Sequence, residues 1–298
     1  MRQDKNKKIA VIGNSGSWST EKLADALENK TGFRCVVDIS SVIFDINQKT
    51  LFYGDLDLAA LDGLAIKKIG PVYSPDMYNR LEMLRFFCSM AIPVFSRPEM
   101  IMQAVNRLSC TVNLQIGNIP IPPTVVTEDM DLACKTVHRF KKAVLKPLFT
   151  SKARGMLVVE AGDQCRSAIA EFQASGNRTM YIQKMVSIPG RDLGVAFLGG
   201  EYIGTYARLK GDSWNTCISS GGRYERYEPD PAIIGLGHRA QALFNLDFTC
   251  VDVVETEQGA MVFEVSAFGG FRGLYQACGI DAADMYANYI LNNLKYRS

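Results

Sequence analysis

The sequence predicts an α/β chain assembled from mixed α+β lobes, on three observations. Strand-like and helix-like segments alternate along most of its 298 residues, as packed layers of strands and helices require. The chain opens on a strand, a Gly/Ser turn and a helix. Its last third holds two long strand-like runs that meet at a Gly-Gly turn, a hairpin signal. A 47% hydrophobic content lets a chain of this length bury a large core and divide into two or three lobes.

In chain order, KIAVIGNSGSWSTEKLADAL reads as strand, turn and a helix capped near Ser19 or Thr20, with apolar residues at helical spacing. The turn from Gly13 to Gly16 has neither the Walker lysine pattern nor the full GxGxxG spacing, which favours ordinary loop construction over a phosphate cradle. GLAIKKIG and IPVFSRP read as buried strands, with a helix over Met77 to Met90 between them. From Pro98 the pattern becomes a long helix, a Gly-Asn turn and a Pro-bracketed extended stretch, which marks a lobe junction near residues 95 to 120. DLACKTVHRF (helix), KAVLKPL (strand), TSKARG (loop), MLVVE (strand), CRSAIAEFQ (helix) and TMYIQKMV (strand) then make a small mixed lobe. The strands DLGVAFLGG and EYIGTYARLK follow. After an irregular GDSWNTCISSGGRYERYEPD come the helix PAIIGLGHRAQALFNL, the strands FTCVDVVET and GAMVFEVS, and a helix from Ala282. The expected division is 1–100, 101–187 and 188–298.

Bulk properties narrow the function classes. Lys+Arg 33 against Asp+Glu 31 gives a formal charge of +2, no broad footprint for nucleic acid or a membrane surface. Eight cysteines stand singly with no CxxC pair, beside two histidines, which argues against a Cys/His zinc site. The N-terminal MRQDKNKKIAVIG runs into a strand without a signal-peptide apolar region, and no apolar run reaches the roughly 18 residues of a spanning helix. The expectation is a cytoplasmic protein with free thiols. A homo-oligomer is left open.

Asp252 in CVDVVE and Glu264 in VFEVS fall on consecutive strands joined by a TEQG turn. A carboxylate among apolar residues is costly to bury without a cation or hydrogen-bond partners. Strands in matching register would bring the two within a few ångströms, which suits a hard, oxygen-liganded ion such as Mg²⁺. Spacing alone leaves a solvent-facing position for either residue equally open. Lys146 ends the AVLKPL strand before FTSKARGM, where Lys152, Arg154 and Gly155 suit a loop closing over phosphate; a solvated strand-end lysine is the plainer reading. Gln183, Lys184, Met185 and Val186 leave an apolar strand toward Pro189, either to meet a planar base or as an edge strand and linker. Arg208 in TYARLK shares the sheet with the carboxylate pair. Arg223 and Arg272 are exposed arginines by default, and point to an acidic substrate if they border the site.

Taken in order, the lysine before a Ser/Gly loop, YIQKMV, GRDLGV, YARLKGDSW, CVDVV and FEVSAFGGFRG resemble the ATP-grasp superfamily and, within it, the RimK-like amino-acid ligases. The resemblance covers roughly residues 95 to 290. FEVSAFGGFRGLYQACGID is its most specific part, similar to the family's Glu-Val-Asn, Pro-Gly-Leu-x-Gly and Ala-Thr-Gly-Ile-Asp run. It implies an ATP-grasp fold behind an N-terminal α/β pre-ATP-grasp domain, with ATP clamped between the last two lobes and Mg²⁺, or Mn²⁺ as the alternative ion. Lys146 would then sit on the ATP phosphates, Ser151 and Lys152 in the phosphate loop, and Gln183, Lys184, Met185 and Val186 at the adenine hinge. Asp192 would contact the nucleotide and Arg208 the transferring phosphoryl oxygens. Arg107 takes the place of a helix lysine, and Asn215 and Cys217 lie in a nucleotide-facing loop where the family usually has asparagine at 217. Asp252, Glu264 and Ser266 would hold metal, Ser266 standing for the family's asparagine. Thr150 and Ala153 stand at positions commonly glycine, Gly194 replaces an arginine found in RimK itself, and Arg272 stands where glutamate is frequent.

The activity so implied is an ATP- and Mg²⁺-dependent carboxylate–amine ligation through an acyl phosphate. Its partners are ATP, an acid and an amine such as an amino acid. It needs no covalent enzyme nucleophile, which agrees with the absence of a Ser-His-Asp arrangement. Two alternatives stay open: a nucleotide-binding regulatory or partner protein that has lost ligation, motivated by Ser266 and Cys217, and an ATP-grasp phosphotransferase that leaves a stable phosphorylated product.

Overall fold

Continuous apolar runs form the first sheet. The computed structural model describes residues 5–296. Ile9–Ile12 and Gly63–Ile66 are buried at every position, the pattern of strands covered on both faces. They form the centre of a parallel sheet ordered Val36–Val37, Ile9–Ile12, Gly63–Ile66, Val94–Phe95. The helices Trp18–Thr31 and Asp76–Ser89 lie on the crossovers. The first helix is capped at Ser17, not at Ser19 or Thr20. Ser17 makes no side-chain bond; Glu21 Oε1 instead reaches back to accept from Gly16 N–H at 2.6 Å. Thr20 turns inward, and a Cβ on Gly13 would sit 2.6 Å from its side chain, which explains the glycine. A small antiparallel sheet of Val42–Asp45, Thr50–Tyr53 and Leu56–Asp57 has no counterpart in the sequence expectations.

The long helix expected from Pro98 is two helices, Pro98–Val105 and Arg107–Ile116. Asn106 breaks it: its backbone is extended, at φ −90° and ψ 127°, and its side chain accepts from Ser109 N–H at 3.1 Å. An asparagine offers its own side chain to a helix start more readily than it continues a helix. The break makes Arg107 the first residue of a new helix.

The next sheet is antiparallel, ordered Leu157–Glu160, Lys142–Lys146, Met180–Lys184, Thr124–Thr127. Alternation splits its faces. Ala143, Leu145, Met180 and Ile182 join Ala133, Val137, Ile169 and Phe172 of the helices Met130–Phe140 and Cys165–Ala174 in a separate core, which leaves Val144, Lys146, Tyr181 and Gln183 on the other face.

The last sheet is also antiparallel: Arg223–Arg226, Glu201–Leu209, Arg191–Leu198, Phe248–Thr256, Gly259–Val265. Gly199 and Gly200, both at positive φ, make the expected hairpin turn. Arg223–Arg226 was expected to be irregular. It pairs along Tyr206 to Leu209, after Gly221 at φ 89° turns the chain back. The glycine-bearing stretch after Gly270 is likewise ordered into the helix Arg272–Cys278, ended by Gly279 at φ 69°. Leu193, Val195, Ala207, Val251 and Val253 of this sheet share one buried cluster with Ala10, Ile12, Leu64 and Ile66 of the parallel sheet. The first and last sheets are thus joined by a common core, and the middle sheet has its own.

All eight cysteines are free. Among the described residues no helix is long and apolar enough to cross a membrane.

Candidate active site

Four charged side chains, Asp192, Arg208, Asp252 and Glu264, meet on one face of the last sheet. Asp252 and Glu264 are direct cross-strand partners, so the register that spacing left open brings the two carboxylates together. Asp192 and Arg208 are partners on the neighbouring pair. Arg208 Nε donates to Asp192 Oδ1 at 3.0 Å and Nη2 to Oδ2 at 2.6 Å, and Nη2 lies 2.9 Å from Asp252 Oδ1. That last approach is misdirected for a hydrogen bond: Asp252 Oδ1 is buried and has no hydrogen-bond partner. Burial pushes the Asp252 carboxyl up to about 7 against the pull of Arg208, with Glu264 and Asp192 adding repulsion. Burial also disfavours charge on Arg208, but Asp192 and Asp252 hold it well above the ordinary range.

Between these residues, Gly194 is opposed to Tyr206, and a Cβ there would lie 2.4 Å from the tyrosine ring. Tyr206 thus fills the room that a longer side chain at 194 would need. Gly194→Arg is expected to cost about 1–3 kcal/mol by overpacking, seen as a fall in melting temperature that adding Tyr206→Ala partly reverses. An unchanged melting temperature would show that the ring simply swings aside.

The middle sheet faces this array. Lys146 Nζ donates to Gln183 Oε1 at 2.6 Å and stands 4.9 Å from the centre of the Phe263 ring. The lysine expected on phosphate and the glutamine expected at the hinge therefore touch, because they are diagonal neighbours on one face of adjacent strands. Gln183 Nε2 donates to Thr124 Oγ1 at 3.1 Å and to the Tyr181 hydroxyl at 3.2 Å. Burial brings Lys146 down to about 7, helped by the charge of Arg107 and opposed by Glu264. Arg107, aimed by the helix break, gives Nη1 to Glu264 Oε2 at 3.3 Å and Nε to Pro147 O at 3.2 Å.

Arg208, Arg107, Lys146, Ser151, Lys152, Gln183, Lys184, Met185, Val186, Asp192, Asn215, Cys217, Asp252, Glu264 and Ser266 all line one cavity of about 770 Å³. The structure qualifies several of them. Arg154 binds Ser151 through its hydroxyl, at 3.2 Å, and its carbonyl, and Thr150 Oγ1 bonds Arg154 O, so this loop is tied to itself. Ala153 holds φ 55°, in the region where the family's glycine is at ease. Asn215 Oδ1 accepts from Cys217 N–H at 2.9 Å, and Cys217 Sγ lies 3.1 Å from Ser219 Oγ. Arg272 lines the cavity, its guanidinium 5.1 Å from the centre of the Trp18 ring. Arg223 is not among the lining residues, and pairs loosely with Glu225 at 4.0 Å.

Sequence reasoning missed one wall. Ser17, Trp18, Ser19, Lys68 and Tyr73 come from the first third of the chain. Lys68 had a legible signal, since it follows the end of a buried parallel strand, the edge where open α/β sheets collect ligands.

The donor set can be tested against a cation. Among the described residues no cluster of three or more His, Cys, Asp or Glu side chains is arranged to hold a metal. Two facing carboxylates, one with an orphaned buried oxygen, and the nearby Ser266 form a hard oxygen set that fits Mg²⁺ completed by phosphate or water, and does not fit a soft transition metal.

The RimK-like ATP-grasp domain matches residues 104–290, more than half of the chain. The chain belongs to the RimK-like ATP-grasp family. Relatives of this RimK-like ligase include the tetrahydromethanopterin:α-L-glutamate ligase of Methanocaldococcus jannaschii, 29% identical over 87% of this chain and 90% of that one. The protein of the same name in Methanosarcina acetivorans is 26% identical over 97% of this chain and 100% of that one. Among solved structures, the ATP-grasp ligase PsnB with a phosphomimetic variant of its minimal precursor, Mg and ADP shares the fold at TM-score 0.75 and 16% identity, over 97% of this chain and 99% of that one. A RimK domain protein from Sphaerobacter thermophilus does so at 0.73 and 20%, over 95% and 99%. The fold is ATP-grasp, and the enzyme is an ATP-dependent ligase of the carboxylate–amine type that forms an amide bond. ATP-grasp ligases use ATP and Mg²⁺.

Proposed function

We propose that this ligase joins the amine of an α-amino acid, L-glutamate, to the carboxylate of a small-molecule acceptor, using the residues gathered in the 770 Å³ cavity. The observation that carries the reading is the facing pair Asp252 and Glu264, with the buried Asp252 Oδ1 ion-paired to Arg208 but accepting no hydrogen bond. Arg208 stands 2.9 Å from that oxygen, yet burial and the repulsion of Glu264 and Asp192 still disfavour charge there, so a further cation would stabilise the pair. Asp252, Glu264 and Ser266 would hold Mg²⁺, or Mn²⁺ in its place, and the bound ion would draw charge from the phosphate oxygens. Lys146, Ser151 and Lys152 bind phosphate in this reading, and Gln183, Lys184, Met185 and Val186 border the base. Asn215 and Cys217 close the nucleotide's outer side. Asp192 keeps Arg208 in place, and Arg208 with Arg107 balances the acidic pair.

The acceptor's carboxylate oxygen takes the γ-phosphoryl group as ADP leaves; the amine then displaces phosphate from the acyl carbon. Glutamate is supported by the names of the relatives, α-L-glutamate ligases at 25–29% identity. The units 1–100, 101–187 and 188–298 remain our division of the chain, with the helices Pro98–Val105 and Arg107–Ile116 packed into the larger core.

The test is product analysis with ATP, Mg²⁺, L-glutamate and tetrahydromethanopterin as acceptor probe, followed by other small carboxylates. ADP, phosphate and an adduct heavier by one glutamate residue support the reading. A stable phosphorylated acceptor would replace it with phosphotransfer. ATP binding without ADP release, under every acceptor tried, would replace it with a regulatory role.

A further inference from the structure

Lys68 lies outside the segment that matches the ATP-grasp domain, yet it lines the cavity. Its main chain is fixed. The N–H groups of Lys67 and Lys68 both donate to Ile12 O, at 2.8 and 3.1 Å. Lys67 runs into the interior, where its ammonium bonds Gly269 O and stands 3.8 and 5.0 Å from the ring centres of Phe271 and Phe248. Lys68 Nζ instead stands 5.3 Å from the centre of the Phe268 ring, two residues beyond Ser266. Lys152 of the Ser/Gly loop is close enough to oppose it: burial, reinforced by the Lys152 charge, pushes the Lys68 ammonium down to about 8. Neither lysine has an acidic partner or a hydrogen-bond acceptor among the described residues.

Lys68 is half-buried and Lys152 exposed, and both line the cavity without a counter-charge, so together they favour an anion between them. One stands beside the strand end that carries Glu264 and Ser266, and the other belongs to the loop read as covering phosphate. We propose that Lys68 is a further catalytic residue, forming with Lys152 a two-cation site for the oxyanion at the point of phosphoryl transfer. This rests on the ligase reading above. There a carboxylate oxygen bonds the γ-phosphorus while the bond from that phosphorus to the β,γ-bridging oxygen breaks, and ADP takes the electron pair. Attacker and target are both anions. Lys68 keeps its proton throughout and offsets their repulsion. The site thereby takes an essential group from residues beyond the ATP-grasp domain.

The oxyanion has two sources, phosphoryl group and acceptor carboxylate, so two probes are needed. Inorganic phosphate and, separately, glutarate are titrated calorimetrically into the Mg²⁺·ADP complexes of the wild type, Lys68→Met and Lys68→Arg. Methionine keeps the packing on Phe268. The expected result is phosphate binding weakened at least about tenfold in Lys68→Met and within about threefold in Lys68→Arg, at unchanged ADP affinity, as loss of one charge-assisted contact requires. The same pattern with glutarate instead assigns the site to the acceptor carboxylate. Equal affinities for both probes in wild type and Lys68→Met, or no saturable binding of either to the wild-type complex, would overturn the proposal. Failure of the ligase reading looks different: ADP does not bind, or amide is never formed. Failure of this proposal alone leaves both intact.

Discussion

Glu264→Gln is expected to lower turnover by about a thousandfold, the scale on which one group stabilising transition-state charge is felt. The substitution keeps shape and hydrogen-bonding capacity but removes the negative charge opposite Asp252. It should leave the fold in place, because Arg107 retains Pro147 O and its main-chain bond to Leu148 O. Asp252→Asn should act in the same direction, with a smaller cost to the unliganded protein, since its carboxyl already lies near 7 from burial and is easily neutral. ADP release measures the first effect, and the Mg²⁺ concentration that half-restores ATP binding measures the second. Turnover undiminished in either variant would remove these residues from the metal site.

The second large effect falls on Lys146. Lys146→Met should reduce kcat/KM by about a hundredfold, with most of the loss in ATP binding, as expected for a buried charge on phosphate. Its pH dependence separates a phosphate ligand from a packing residue. Burial lowers the free enzyme's Lys146 to about 7, so the lysine is charged below that pH and neutral above it. Phosphate favours the charged form. Binding above pH 7 must therefore take up a proton, and ATP affinity should fall by about tenfold per pH unit from there upward. The unliganded protein responds in the opposite sense: between about 7 and the ordinary lysine value of 10.5 the unfolded chain holds more protons at this residue, and stability rises with pH. In Lys146→Met both slopes should vanish. An unaltered affinity profile would mean that Lys146 serves only to hold Gln183.

Most long strands of the three larger sheets were legible because their signals are local: apolar runs, alternation and glycine turns; Val36–Val37 and the small sheet of Val42–Asp45, Thr50–Tyr53 and Leu56–Asp57 were not. Asp252 and Glu264 were legible as candidates for the same reason, being acids inside apolar strands. That they face each other was a matter of register, which no single strand encodes, and the bulge between Asp252 and Val253 makes it harder still to count. The split at Asn106 was missed because one side-chain bond to Ser109 outweighs a helical apolar pattern. Arg223–Arg226 was missed because polar residues on an edge strand carry no alternation signal. The wall containing Trp18 and Lys68 was missed for a different reason. Apart from the strand-end position of Lys68 its residues carry no motif, and the packing of the parallel sheet on the last sheet brings them to the cavity.

That shared packing also has a mechanical consequence. Lys68, Arg208, Asp252 and Glu264 ride on the common core of the first and last sheets, whereas Lys146, Lys152 and Gln183 ride on or beside the sheet with its own core. The groups proposed to act on the nucleotide therefore sit on opposite jaws of a vice. The bonds from Arg107 to Pro147 and Leu148, with that between Thr111 Oγ1 and the Tyr181 hydroxyl, lie across the seam as a strap, so any change in the gap would have to strain them. Grip on the nucleotide and alignment for transfer become a single movement, so a change that stiffens the strap will alter product escape and the chemical step together.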